Sequence, residues 1–300
     1  MLKIAWRKEY HLPLPEGHRF PMEKYTLLPQ QLLYEGTINN NNLFEPQIIT
    51  EEIVLYTHCA DYLNKLKNLT LTKQEERKIG FPLSTDLVTR ELYIMNGTLQ
   101  CALYALKYGI SMNIAGGTHH AFTNCGEGFC LLNDNAIAAN YLLKNNLAYR
   151  ILIVDLDVHQ GNGTAEIFQN NNKVFTFSMH GEKNYPLHKE KSDLDIELPD
   201  GINDKQYLDL LVPALNKCIE LHEPDFIFYQ CGVDVLASDK LGRLALSING
   251  CKERDKIVLE LAKKHKIPIV CSMGGGYSEK ISDIVEAHAN TYRLAQQIFF

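Results

Sequence analysis

Four short stretches hold most of the residues able to do chemistry. ILIVDLDVHQGNG, residues 151–163, carries Asp155, Asp157 and His159 at alternate positions behind an apolar run. DFIFYQCGVD places Asp234 just past a second run. GGTHHAFTNC sets His119 and His120 side by side after two glycines, and SMGGGYS sets Tyr277 after three. If the strand continues through residue 159, its alternate residues face one side. Two carboxylates there are costly unless something positive meets them. Asp157, His159 and Asp234 make such a set: two carboxylates neutralise a divalent cation, and three protein ligands leave a coordination position open. An open position marks a catalytic zinc rather than a structural one.

Adjacent histidines diverge on a strand or a helix. A loop can aim both at one point, and the preceding glycines favour a loop. The GGGY stretch reads in three ways: a plain turn, a phosphate loop before a helix, or a close backbone approach to a metal. The last lets Tyr277 donate to a developing oxyanion. The phosphate reading is weak, because neither the Walker pattern nor G-x-G-x-x-G is present.

The elements that must position these residues alternate along the chain. LKIAW reads as a strand, residues 11–21 as a loop, and MEKYTLLPQQLLYEG as a helix. Residues 58–68 and 72–79 read as short helices, and Thr85 to Tyr108 as a long amphipathic one. Then come strand SMNIA, the histidine loop, helix FCLLNDNAIAANYLLKN, strand 150–158, helix GTAEIFQN and strand KVFTFSM. A helix bent at Pro213 follows, then strand DFIFYQCG, helix CKERDKIVLELAKKH, strand IPIVCSM and a last helix from about Ser278. Apolar strands alternating with helices predict one α/β domain over residues 1–300, a central, mostly parallel sheet with helices on both faces. In such sheets sites form beyond the carboxyl ends of the strands, where the polar residues singled out above fall.

Composition narrows the classes. The net charge of −6 is spread out, with no basic block to suggest nucleic acid. No apolar run is long enough for a membrane span, and MLKIAWRKEY lacks the pattern of a signal peptide. Eight scattered cysteines without a C-x-x-C predict buried, reduced thiols in a cytoplasmic setting.

GGTHHAFTNCGEGFCLLND, DLDVHQGNG, QCGVD and GGGY stand in the order and approximate spacing of the zinc-dependent histone deacetylase family, which the chain resembles over nearly its whole length. HLPLPEGHRFPMEKY and Q-G-N-G look most like the class IV branch and its bacterial relatives. The resemblance implies an arginase-like α/β fold. It implies that Asp157, His159 and Asp234 hold zinc and that His120 is the general base. His119, held by Asp155, would support the transition state, and Tyr277 would donate to the oxyanion. Asn162 stands where class I members have an aspartate, so His120 is expected to have a lower pKa than theirs. Phe129, Gly128 and Gly275 match the lining of the acyl-lysine tunnel, and Tyr185 with Pro186 would form a wall. Asp155, Asp157, His159, Ser178 and Met179 match a structural potassium site, in part through backbone carbonyls.

The activity implied is removal of acetyl or longer acyl groups from lysine ε-amines of peptides or proteins. Small acylated amines such as acetylpolyamines are the alternative substrates. A binuclear manganese ureohydrolase needs D-x-H-x-D patterns, and D-x-D-x-H is found instead. A non-catalytic acyl-lysine binder usually loses a ligand, a histidine or the tyrosine, and here all are kept.

Overall fold

The computed structural model describes residues 1–300. Eight strands form one sheet in the order β2-β1-β3-β8-β7-β4-β5-β6, and every neighbouring pair is parallel. They are β1 (Lys3–Ala5), β2 (Leu43–Phe44), β3 (Ile110–Asn113), β4 (Ile151–Asp155), β5 (Val174–Gly181), β6 (Leu194–Leu198), β7 (Phe226–Gln230) and β8 (Ile269–Ser272). Every residue of β3, β4, β7 and β8 is buried. Since successive side chains point to opposite faces, both faces of the central sheet are covered. A single cluster of 83 buried apolar residues unites the chain into one domain.

Ten helices supply the cover: α1 (Lys24–Tyr34), α2 (Glu51–Val54), α3 (Ala60–Lys67), α4 (Lys73–Ile79), α5 (Thr85–Tyr108), α6 (Asp134–Lys144), α7 (Asn162–Phe168), α8 (Asp204–His222), α9 (Ile248–His265) and α10 (Ile281–Phe299). Their starts follow capping chemistry. Ser84 accepts from Leu87 N–H, Asn133 from Ala136 and Ser247 from Gly250. α8 runs unbroken through Pro213.

Several sequence expectations need correction. β4 stops at Asp155 rather than 158, so Asp157 and His159 lie beyond the strand, and loop geometry rather than strand alternation brings them together. Residues 129–133 are not helical: Phe129 has φ +68° and Asn133 is the cap. The last helix begins at Ile281. Strands β2 and β6 and helix α2 had no clear signal in the sequence. All eight cysteines are free, and six of them are buried. No helix is long and apolar enough to cross a membrane.

Candidate metal centre

The four central strands β3, β8, β7 and β4 each deliver chemistry from the loop at their carboxyl end. After β3 come His119 and His120; after β4, Asp157 and His159; after β7, Asp234; after β8, Tyr277. Asp157, His159 and Asp234 are buried, and their ligand atoms lie within 4.8 Å of one another. Nδ1 of His159 is 3.1 Å from Oδ1 of Asp157 and 3.1 Å from Oδ2 of Asp234. Donors held tetrahedrally at zinc–ligand lengths of about 2.0–2.1 Å sit roughly 3.3 Å apart. The two edges that meet at His159 match that spacing, and the third donor pair stays within 4.8 Å.

Main-chain N–H groups fix both carboxylates. Gly275 donates to Oδ2 of Asp157 at 2.9 Å, and Val158 donates to Oδ1 of Asp234 at 2.9 Å. The glycines here answer to space. A Cβ on Gly275 would lie 2.0 Å from Oδ2 of Asp234, and one on Gly232 would lie 2.1 Å from Oδ2 of Asp157. Beneath them Arg254, fully buried beside Asp255, donates to the carbonyls of Leu156 and Gly232. It thus ties the backbones that lead into Asp157 and Asp234.

The histidine pair is built by a different set of residues. Gly116 and Gly117 have φ of +75° and +74°, and they turn the chain so that both rings face the centre. The carboxylate of Asp134, the first residue of α6, accepts from Gly117 N, Thr118 N and the hydroxyls of Thr98, Thr118 and Ser272. His58 links the far side of the loop to the α6 cap. It accepts from Asn133 N–H at Nε2, so its proton sits on Nδ1 and is donated to Phe122 O, both at 2.9 Å.

His119 and His120 lie with ring centroids 4.1 Å apart. Nδ1 of His119 is 2.7 Å from Oδ2 of Asp155. Burial disfavours its charged form, but Asp155 and Asp157 outweigh burial and hold its pKa up at about 9. Nδ1 of His120 is 2.6 Å from Oδ1 of Asn162, whose amide in turn donates to Glu127 at 2.6 Å. Glu127 can only accept, so it fixes which way the amide points. Nδ1 of His120 therefore carries the proton and Nε2 is left with its lone pair. Burial, then the neighbouring His119 and His159, hold His120 far below the usual imidazole range, and the Asn162 bond pulls weakly the other way. Burial, and not the amide singled out in the sequence, is thus the main cause of the low value.

Tyr277 is buried, and its N–H donates to Asp239 at 2.6 Å; the same carboxylate receives Leu241 and Gly242. Burial and the nearby Asp234 and Asp157 push its phenol well above the ordinary range, so it stays a donor. Below it the buried Lys24 donates to Gly274 O at 3.3 Å and packs under the Phe20 and Tyr277 rings.

An outer bowl of about 650 Å³ leads to these groups. It narrows between Gly128, Phe129, His120, His159 and Tyr277 into an inner space of about 40 Å³ that also touches Gly275. The expected tunnel residues Gly128, Phe129 and Gly275 are therefore together. The Tyr185 ring lies 5.1 Å from His120, nearly perpendicular to it, in the outer bowl. Phe129 is held at its positive φ by N–H donation to Ile79 O at 2.7 Å. Phe20 and Phe81 pack on it at 5.2 and 5.1 Å. Asp155 and Ser178 are register partners on β4 and β5, with Met179 next in line. Their side-chain oxygens are engaged, Ser178 with His180 and Asp155 with His119 and Asp157 N.

Sequence reasoning missed Asp134, Glu127, Asp239, Arg254, Phe20 and Phe81. Only Asp134 had a local signal, in the Asn-Asp pair that opens a helix.

Residues 18–292 match the histone deacetylase domain. The chain is 43% identical to an uncharacterized protein of Picosynechococcus, over 99% of both chains. It is 28% identical to histone deacetylase 2 of Arabidopsis thaliana, over 89% of this chain and 72% of that one. Among solved structures it is similar to an HDAC homolog complexed with SAHA (TM-score 0.84, 27% identity, 97% of this chain and 82% of that one). It is also similar to an HDAC homolog from Aquifex aeolicus (TM-score 0.83, 26% identity, the same coverage). With that match spanning nearly the whole sheet and every loop that bears the site, the chain belongs to the histone deacetylase family of hydrolases.

Proposed function

We propose that this protein is a zinc-dependent amidohydrolase that removes acyl groups from lysine ε-amines. The observation that carries the reading is the convergence of Asp157, His159 and Asp234 beside a histidine with a free Nε2 and a buried tyrosine. Zinc held by those three residues would polarise the acyl carbonyl and lower the pKa of water.

The chain's own residues do the rest. Nε2 of His120 takes the proton of the attacking water, then returns one to the departing amine. Its tautomer is set through Asn162 by Glu127. His119, kept charged by Asp155, stabilises negative charge as it develops. The Tyr277 hydroxyl donates to the oxyanion of the tetrahedral intermediate. Phe129, Gly128, Gly275 and Tyr185 border the aliphatic stem of the lysine. The inner space has room for roughly three waters, close to the size of an acetyl group, which favours acetyl over longer chains. The relative solved with SAHA supports a ligand of this overall shape. A potassium ion at the ends of β4 and β5 would be held by Asp155, Asp157, His159, Ser178 and Met179, several of them through main-chain carbonyls.

The test is hydrolysis of lysine peptides carrying acyl chains of graded length by zinc-reconstituted protein. Acetyl-lysine should turn over fastest. Tyr277→Phe should keep zinc and lose about 10²–10³-fold in kcat, whereas Asp157→Ala should lose zinc and turnover together. Near-normal turnover by Tyr277→Phe would remove the oxyanion assignment, and no turnover on any acyl-lysine would remove the reading.

A further inference from the structure

The chain carries a net charge of −6, yet the rim of its tunnel is cationic. Arg19, Arg77, Lys78, Lys183 and Arg243 line the outer bowl, and Glu127 is the one carboxylate among them. Glu127 is already committed to the Asn162 amide. All five cations are exposed. Arg243 pairs with Asp200 at 3.4 Å. The other four have no carboxylate within ion-pairing distance.

The backbone under these charges is pinned. Arg77 and Lys78 stand in the last turn of α4, whose carbonyls at Lys78 and Ile79 accept from Gly128 and Phe129 at 3.0 and 2.7 Å. The helix end is thereby bolted to the tunnel wall. Lys183 lies in the loop that carries Tyr185. There Lys189 donates to the carbonyls of Glu182, Asn184 and Pro186, and Asn184 donates to Leu241 O at 2.8 Å. The Arg19 guanidinium sits 5.0 Å above the Phe129 ring. The unpaired cations thus approach the tunnel from three separate segments of the chain.

Resting on the lysine deacylase reading, we propose that this rim selects acyl-lysines embedded in acidic peptide segments. Carboxylates one or two residues from the acyl-lysine would meet the unpaired side chains of Arg77, Lys78, Lys183 and Arg19. A basic flank or a polyamine would be repelled by the same charges, since like charges brought together at a binding surface oppose association.

The experiment compares three acetyl-lysine probes on the zinc-loaded protein: a peptide flanked by Asp and Glu, the same peptide flanked by Lys and Arg, and a capped single acetyl-lysine. Binding of fluorescein-labelled peptides is read by anisotropy beside turnover. The acidic peptide should bind about tenfold tighter than the basic one at low salt, with the gap closing as salt is raised. The double variant Arg77→Glu/Lys183→Glu should reverse that order while turning over the capped single residue as the native protein does, which also shows that it is folded. Equal affinities for the two flanks, or a gap unmoved by the double variant, overturn the acidic-segment proposal. Failure of the capped residue to turn over on the native protein counts against the deacylase reading, and the binding order still decides the rim by itself.

Discussion

The floor of the tunnel and its rim are built on opposite terms. On the floor, the polar side chains are buried, and those that hold the loops in place are bonded from several directions. Asp134 alone receives five donors, and Arg254 reaches three carbonyls beneath the ligands. On the rim, four exposed cations hold no carboxylate, and the α4 end and the 182–189 loop are fixed through their backbones. The contrast teaches that geometry is enforced where bonds are remade, whereas recognition is left to side chains free to meet something else. Stability and activity should therefore move together on the floor and separate on the rim.

The sharpest way to break this contrast is Asp134→Ala. Stranding several buried donors should cost about 3 kcal/mol or more in urea unfolding, and turnover should fall with it as the histidine loop loosens. An active, equally stable variant would show that the loop holds without its clamp. Next in size is Glu127→Ala, which frees the Asn162 amide to rotate. Turnover should drop about tenfold with a displaced pH profile and zinc content unchanged; a drop without the displacement would make Glu127 a packing residue only.

A smaller effect tests the link between His58 and pH. Burial pushes the His58 pKa down to about 4, against about 6.5 when unfolded. The unfolded chain then binds the extra proton between those values. Stability should accordingly be full above pH about 6.5 and fall as pH drops toward 4. His58 should account for about 1 kcal/mol lost between pH 8 and pH 6, so His58→Gln should show a shallower decline in unfolding curves taken at the two pH values. An unchanged decline would mean the ring is not held neutral. Least of all, Lys183→Gln should shift stability by under about 0.5 kcal/mol; a larger loss would show that the rim also bears structural weight.

What could be read in the sequence follows the same division. Asp157, His159, Asp234 and Tyr277 were legible because each follows an apolar strand by a few residues, and His119 and His120 because glycines precede them. The parallel sheet was legible from its fully buried central strands. Its edges were not: β2 has two residues, and β6 exposes part of its length, so neither forms an apolar run. Glu127 and Asp239 were hidden because their partners, Asn162 and Tyr277, are 35 and 38 residues away. A carboxylate that bonds across such a distance looks, in one dimension, like any solvated acid. The strand register expected for Asp157 and His159 gave way because β4 ends at Asp155, whose two carboxylate oxygens already serve His119 and the Asp157 N–H.

The bonds from Gly128 and Phe129 to the end of α4 join two segments that lie about fifty residues apart in the chain, while the Lys183 loop arrives from a third. None of these segments is one of the strands that carry the ligands. Divergence among descendants of such a chain has an easy route: the entrance can be rewritten codon by codon while the reaction is inherited intact. For a designer the same layout offers a graftable collar, in which new substrate preferences are installed by exchanging the α4 end and the 182–189 loop on an unaltered catalytic base.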